Sequence, residues 1–452
     1  MLSFSTKNLN KSFIINILTS ALIISFIAGN LVLNLNVFLL IVTSCLFFGK
    51  KIFEDKLDIL DKILIILFVY ILLCSFFNNI SYYNDGSSKD FYVFFKSLFF
   101  LRFLILYFVV KFLVKENIIN FKYFFITSFT CVTFVSLDII FQLIFGFDVF
   151  GYESPSDSRR LSGPFGEELI AGSFIQRFSL ISLFLIPIFF KFKKNSNTYL
   201  FTIFFIFLYL TSLVLAGNRI PLVFFILTIS GIAIFEQKLR KFLLPFIFTV
   251  FLSTFLVFNL NEFSRYHMLS FGEKIEQIIF PFSEKNLLTE EEKEKNEIHE
   301  FYTFEHQGKK YKMLNSHLKE FKTGYVTWLD KKILGGGIKS FKINCPKAKT
   351  INCSSHPHNY YLEILANLGL IGFFIILFLF IAIFFKIFIP KYFKKSHLNN
   401  FHLITPFIFL FFAEIFPIKS TGSFFSTANS TYIFLILSII VSLAKKKIKL
   451  NR

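Results

Sequence analysis

Apolar residues along this chain come in long unbroken runs and not in the spaced pattern of a surface helix. Runs at about 13–30, 31–48, 62–80, 91–114, 121–146, 169–190, 198–216, 219–236, 242–260, 359–385, 401–418 and 428–444 each approach or exceed the roughly 17–25 residues that carry a helix across a ~30 Å hydrocarbon core. Backbone polar groups cannot stay unpaired in lipid, so each run is predicted to be helical. The pattern predicts an all-α fold, a polytopic transmembrane helix bundle of about twelve spans. It forms one integral membrane domain over residues 1–452, interrupted by a single large external loop, residues 261–357, that contains short helices. The span 359–385 follows that loop directly.

Composition strengthens this picture. The chain is 54% hydrophobic and 20% aromatic, with 72 phenylalanines, and its mean hydropathy is +0.63. Soluble domains hold nearer 45–50% apolar residues. A formal charge of +19 would suggest nucleic acid in a soluble protein, but here its placement argues for topology. Alternate short loops carry Lys50, Lys51, Lys56 and Lys62, then Lys111, Lys115 and Lys122, then Lys191, Lys193 and Lys194. The series continues through Lys238, Arg240 and Lys241, through Lys391, Lys394 and Lys395, and through Lys445 to Arg452. The opposite short loops hold little beyond Lys89, Arg159, Arg160 and Lys419. This asymmetry predicts both termini on the cytoplasmic side and the large loop on the other. No cleavable signal peptide is expected, because a second apolar run follows the first almost at once.

The chemistry-bearing residues gather on the external side. Arginine is scarce, yet Arg159, Arg160, Arg177, Arg219 and Arg265 all fall there or in the outer part of a span, and Arg102 lies within the fourth span. A guanidinium fork holds phosphate or carboxylate bidentately and stays charged; contact with lipid headgroups is the plainer reading of any one of them. Arg219, in Ala216-Gly217-Asn218-Arg219-Ile220-Pro221, starts a span with almost no loop before it, and Pro221 suits a first helical turn. Lys96 and Arg102 are functional candidates because charge within a span is costly, but their spacing does not share a helix face.

His358 stands where the polar loop meets the next span, and an imidazole with an ordinary pKa near 6.5 can serve as a general base or simply as a structural residue at a helix start. Glu363 and Glu414 are isolated carboxylates, and Glu414 is expected to balance a basic residue in the bundle. Glu167 and Glu168 are expected in the first turn of the sixth span, where the helix dipole favours them. Leu334-Gly335-Gly336-Gly337-Ile338 reads as a tight turn and, more weakly, as a phosphate cradle. The run Thr289-Glu290-Glu291-Glu292-Lys293-Glu294-Lys295 is expected to be a solvated helix face. Cys45, Cys74 and Cys131 fall in spans as packing residues. Cys345 and Cys353 fit a disulfide in an oxidising compartment, and their spacing does not suggest zinc.

His358-Asn359, then nine residues on Gly369-x-x-Gly372, resembles the signature of the O-antigen ligase and polymerase superfamily of polytopic bacterial inner-membrane glycosyltransferases. Gly217-Asn218-Arg219 is similar to that family's Gly-Ser-Arg segment. Phe341 through Cys345, Cys353, His356-Pro357 and Ser420-Thr421-Gly422-Ser423-Phe424-Phe425 also look like members of the group, so the resemblance covers roughly residues 160–430. The ligase signature often continues with Thr-x-Gly, where this chain has Phe373-Phe374-Ile375.

The resemblance implies a metal-independent glycosyltransferase with no cofactor. It would move a glycan from a polyprenyl-pyrophosphate carrier to lipid A–core, or to another lipid-linked repeat if the chain is a polymerase, at the periplasmic face. His358, Arg219 and Arg265 would be catalytic: the histidine activates or orients the acceptor hydroxyl, and the arginines hold the pyrophosphate. Arg159, Arg160, Arg177, Arg102, Asn359 and Glu363 would contact substrate. That reading requires the imidazole and the guanidinium groups to share one outward-facing cavity. A multi-pass transporter or flippase for an anionic lipid or solute is the rival from another class; it should show paired halves with interrupted helices, and no such symmetry is visible. A non-catalytic assembly factor with the same fold is the third reading.

Overall fold

The computed structural model describes residues 6–84, 91–153, 160–189, 196–237, 240, 246–260, 262–280, 283, 287, 303–306, 309–312, 316–347, 353–394, 398, 402–417, 419 and 422–445. The expected acidic stretch at residues 289–295 and Arg159 lie outside these residues.

The apolar runs are helices: α1 (Thr6–Ala28), α2 (Asn30–Phe48), α3 (Ile59–Asn84), α4 (Tyr92–Phe100), α5 (Arg102–Lys115), α6 (Phe121–Phe145), α7 (Ala171–Phe189), α8 (Ser196–Leu215), α9 (Arg219–Phe235) and α10 (Phe246–Leu260). Between α10 and the next span come the amphipathic helix α11 (Glu262–Ile279) and a hairpin of β1 (Thr303–His306) with β2 (Lys309–Lys312). The helices α12 (Ser316–Leu329) and α13 (Phe341–Lys347) complete that segment. The chain closes with α14 (Tyr360–Ile383), which runs through a π-turn at Phe384–Phe388 to Tyr392, then α15 (Thr405–Glu414) and α16 (Thr427–Lys445). Among the described residues seven segments are long and apolar enough to cross a membrane, α4 and α5 counting together, and five shorter apolar helices accompany them. The protein is thus an all-α polytopic bundle, as the runs predicted.

Punctuation follows local chemistry. Gly29, at φ +100°, breaks α1 from α2, and Gly146, at φ +84°, ends α6 in the left-handed conformation that a residue without Cβ adopts freely. Asn120 caps α6 by accepting from the Lys122 N–H. The core is aromatic and centres on α16, whose residues from Asn429 to Leu443 are all buried. The Phe434 ring meets Phe68, Phe100 and Phe103, and Tyr432 meets Phe26 and Phe178. Each such pair adds about 0.5–1.5 kcal/mol beyond area burial. Large apolar side chains instead cover the outside, Leu31, Leu46 and Phe251 among them. Such a surface suits hydrocarbon and not water.

Candidate functional site

The glycine signature is a joint in the backbone. Within α14, Gly369 has φ +63° and ψ −167°, a conformation essentially reserved for glycine. It breaks the helix, and the turn at Ile333–Gly337 fills the break. Leu370 and Ile371 N–H groups donate to the Lys332 and Ile333 carbonyls, while Gly336 and Gly337 N–H groups donate to the Ala366 and Asn367 carbonyls. From α3, Tyr70 donates to the Leu334 and Leu368 carbonyls, Asn78 to that of Gly335, and Tyr82 to that of Gly336. The glycine turn is therefore no phosphate cradle. Two of its amides are spent on α14.

The same joint sets the start of α14. Asn359 is its N-cap, accepting from the Tyr361 and Leu362 N–H groups at 3.0 and 3.1 Å and donating to the Pro417 carbonyl at 2.9 Å. Glu363, one turn on, is buried and accepts from Ser423 Oγ at 2.5 Å and the Phe424 N–H at 2.6 Å. Both were expected to touch substrate; the structure commits both side chains to shaping this corner. Pro357 sits against Gly324 of α12, where a side chain would collide with it. Between these anchors His358 is held at φ +51°, costing about 1–3 kcal/mol that the fixed neighbours sustain. Its Nε2 lies 3.6 Å from Glu320 Oε1 on α12. Its ring lies 4.3 Å from that of His356. Cys345 and Cys353 are joined as a disulfide, Cα atoms 5.7 Å apart, which clips α13 to the chain entering α14.

Beside this corner lies a cavity of about 510 Å³ at the end of the bundle with few short-loop lysines, where α2, α7 and α16 begin. Phe26, Leu33, Phe174 and Phe178 line it together with Arg177, Lys339 and His356. Arg177 Nε and Nη2 donate to Glu414 at 3.1 and 2.6 Å, and Nη2 also to Asn429 Oδ1 at 2.6 Å. Lys419 pairs with the same carboxylate, and Tyr360 donates to it at 2.7 Å. Glu414 thus balances a basic residue, as expected, and two cations share it; burial pushes the Lys419 ammonium down to about 7.

Lys339, in a left-handed backbone at φ +64°, donates to Ser423 Oγ at 3.0 Å, and burial pushes its ammonium below the usual lysine range. His356 shares a hydrogen bond between Nδ1 and Ser355 Oγ, and its buried Nε2 has no partner among the described residues. Burial, then the nearby His358 and Lys339, hold its pKa down to about 4. It is therefore neutral at physiological pH. The sequence reading missed Lys339 and His356 as site residues. The glycines ahead of the lysine and the second histidine of His356-Pro357-His358 were the available signals.

The other expected residues are placed elsewhere. Arg219, at the first turn of α9, donates to Ser270 of α11 at 2.6 Å and is close enough to Arg160 for their charges to repel. Asn218 fixes that corner, accepting from the Gly172 N–H and donating to the Leu169 carbonyl. Arg265 forms an exposed ion pair with Glu262 of its own helix at 3.1 Å. Arg102 donates to the Phe99 carbonyl and Thr427 and stacks on Phe103. Among the described residues His358, Arg219 and Arg265 meet different partners, Glu320, Ser270 and Glu262. Of the expected arginines, the cavity takes in Arg177. Glu167 and Glu168 precede α7 and are not in its first turn; Glu168 lines the cavity.

Comparison with known proteins agrees with the resemblance. No curated protein matches the chain. Residues 204–377 match the family described as O-antigen ligase, a stretch that runs from α8 through Arg219, the segment between α10 and α14, and His358 into α14. Arg177, Glu414 and Asn429 lie outside it. Over that stretch, well under half of its length, the chain is similar to the O-antigen ligase family.

Proposed function

We propose that this protein transfers a glycan from a polyprenyl-diphosphate carrier to a lipid A–core acceptor at the periplasmic face of the bacterial inner membrane, both termini being cytoplasmic. The observation that carries this reading is the cavity lined by aromatic and cationic side chains together, with His356, whose ring lies 4.3 Å from that of His358, in its lining. An amphipathic donor fits such a space: its prenyl chain along Phe26, Phe174 and Phe178, its diphosphate toward Arg177 and Lys339. Arg219, tied through Ser270 to the external segment, offers a second cationic station for the diphosphate.

In the proposed reaction the acceptor hydroxyl oxygen attacks the anomeric carbon, the bond from that carbon to the diphosphate oxygen breaks, and the diphosphate leaves with the electron pair. His358 takes the hydroxyl proton, and Glu320 at 3.6 Å balances the imidazolium that results. Fixed cations favour the charge gathering on the leaving diphosphate, so the proposed reaction is metal-independent.

The test is the lipopolysaccharide profile of cells lacking the gene, complemented by the parent or by His358→Ala or Arg219→Lys. Core without attached chains, with both variants present in the membrane at parental levels, is the expected result. Normal attachment by both variants would overturn the roles given to them. Core bearing a single repeat would assign the chain to polymerisation instead.

A further inference from the structure

At the opposite, lysine-rich end of the bundle, we infer a binding site for an anionic phospholipid, independent of the proposed reaction. A cavity of about 350 Å³ is lined by Asp55, Lys56, Lys111, Lys115, Ser442 and Lys445, where α5 and α16 end and α3 begins. A second cavity, of about 190 Å³, shares Asp55 and Lys111 with the first and is otherwise apolar, walled by Phe53, Leu57, Phe108 and their neighbours. Three of the lysines have carboxylate partners: Lys111 with Asp61 at 2.5 Å, Lys445 with Asp58 at 2.5 Å, and Lys115 with Asp55. Lys56 is exposed and forms no ion pair among the described residues.

Lys115 also meets Glu116 at 3.9 Å, so Lys56 is the lining ammonium left without a carboxylate partner among the described residues, and the sequence continues from Lys445 into Lys446, Lys447 and Lys449. A phosphodiester headgroup carries a single negative charge for Lys56 to meet, and its acyl chains have the apolar groove beside it. Inorganic phosphate has nothing to place in that groove. Basic pockets between spans at the cytoplasmic boundary are where anionic headgroups are held. The structure therefore assigns the ammonium cluster to the phosphodiester, and Phe53, Leu57 and Phe108 to the first methylenes of its chains.

The test uses the full-length protein in nanodiscs of phosphatidylcholine with a minor fraction of phosphatidylglycerol, released into native mass spectrometry to count retained lipids. Phosphatidylglycerol should be retained over phosphatidylcholine. Lys56→Gln should weaken that retention about fivefold and Lys56→Gln/Lys115→Gln about thirtyfold. Lys56 has no carboxylate partner to orphan, so the single variant keeps the test open even if the double one folds poorly. The control, Lys50→Gln/Lys51→Gln, removes the same charge from a turn outside both cavities and should retain lipid like the parent. Equal loss in the control would reduce the effect to general surface charge and overturn the site. So would equal retention of the two lipids, or full displacement by millimolar inorganic phosphate.

Discussion

Replacing Gly369 with alanine tests the joint in α14 most directly. An alanine Cβ there would stand 2.5 Å from Gly335 N and closer still to Ile333 O, both backbone atoms of a turn held from three sides. The residue would also keep a backbone conformation that costs a non-glycine residue about 1–3 kcal/mol. Relief requires the turn to withdraw, breaking some of the four backbone hydrogen bonds across the seam. At about 0.5–1.5 kcal/mol each, losing two adds about 1–3 kcal/mol. The total, about 2–6 kcal/mol, is a large part of the roughly 5–15 kcal/mol that holds a typical domain. Thermal melting of the detergent-solubilised protein should therefore fall steeply, with less protein reaching the membrane. Gly272→Ala in α11 is the comparison: nothing lies within 4 Å of its Cβ, so it should melt close to the parent. Parental melting of the Gly369 variant would refute the joint and return that glycine to a role in substrate handling.

Two further outcomes follow from the cavity wall. Arg177→Met leaves Glu414 paired with Lys419 but takes the donor from the buried Asn429 Oδ1, and an orphaned buried acceptor costs about 1–3 kcal/mol; a melting temperature unchanged from the parent would contradict the buried network. For His356 the folded pKa, about 4, lies below its ordinary 6.5, so the unfolded chain binds more protons between those values. Its contribution is complete above pH 6.5 and is lost as pH falls toward 4. His356→Phe should therefore flatten the drop in melting temperature across that window, and an identical pH profile in the variant would refute the assignment.

The bundle itself was legible because lipid leaves the backbone only one solution, so each apolar run had to be a helix. The disulfide and the balancing of Glu414 were legible from position and charge. Asn359 and Glu363 were not, because capping an N-terminus and binding a ligand call for the same polar atoms at the same spacing. The glycines at 335–337 misled for a related reason: free amides suit a phosphate as well as they suit a broken helix, and only the interruption at Gly369 tells the two apart. Arg177, buried within α7, had no local sign distinguishing it from Arg219. Its importance comes from α15 and α16, more than two hundred residues away.

The seam between Ile333–Gly337 and α14 also constrains how a bulky polysaccharide could enter. That stretch is sewn to α3 and α14 together, and the disulfide tethers the connection that follows, so the later part of the segment cannot swing as a flap. The threshold on which His358 stands is thus held from two sides, by the seam on one and the disulfide on the other.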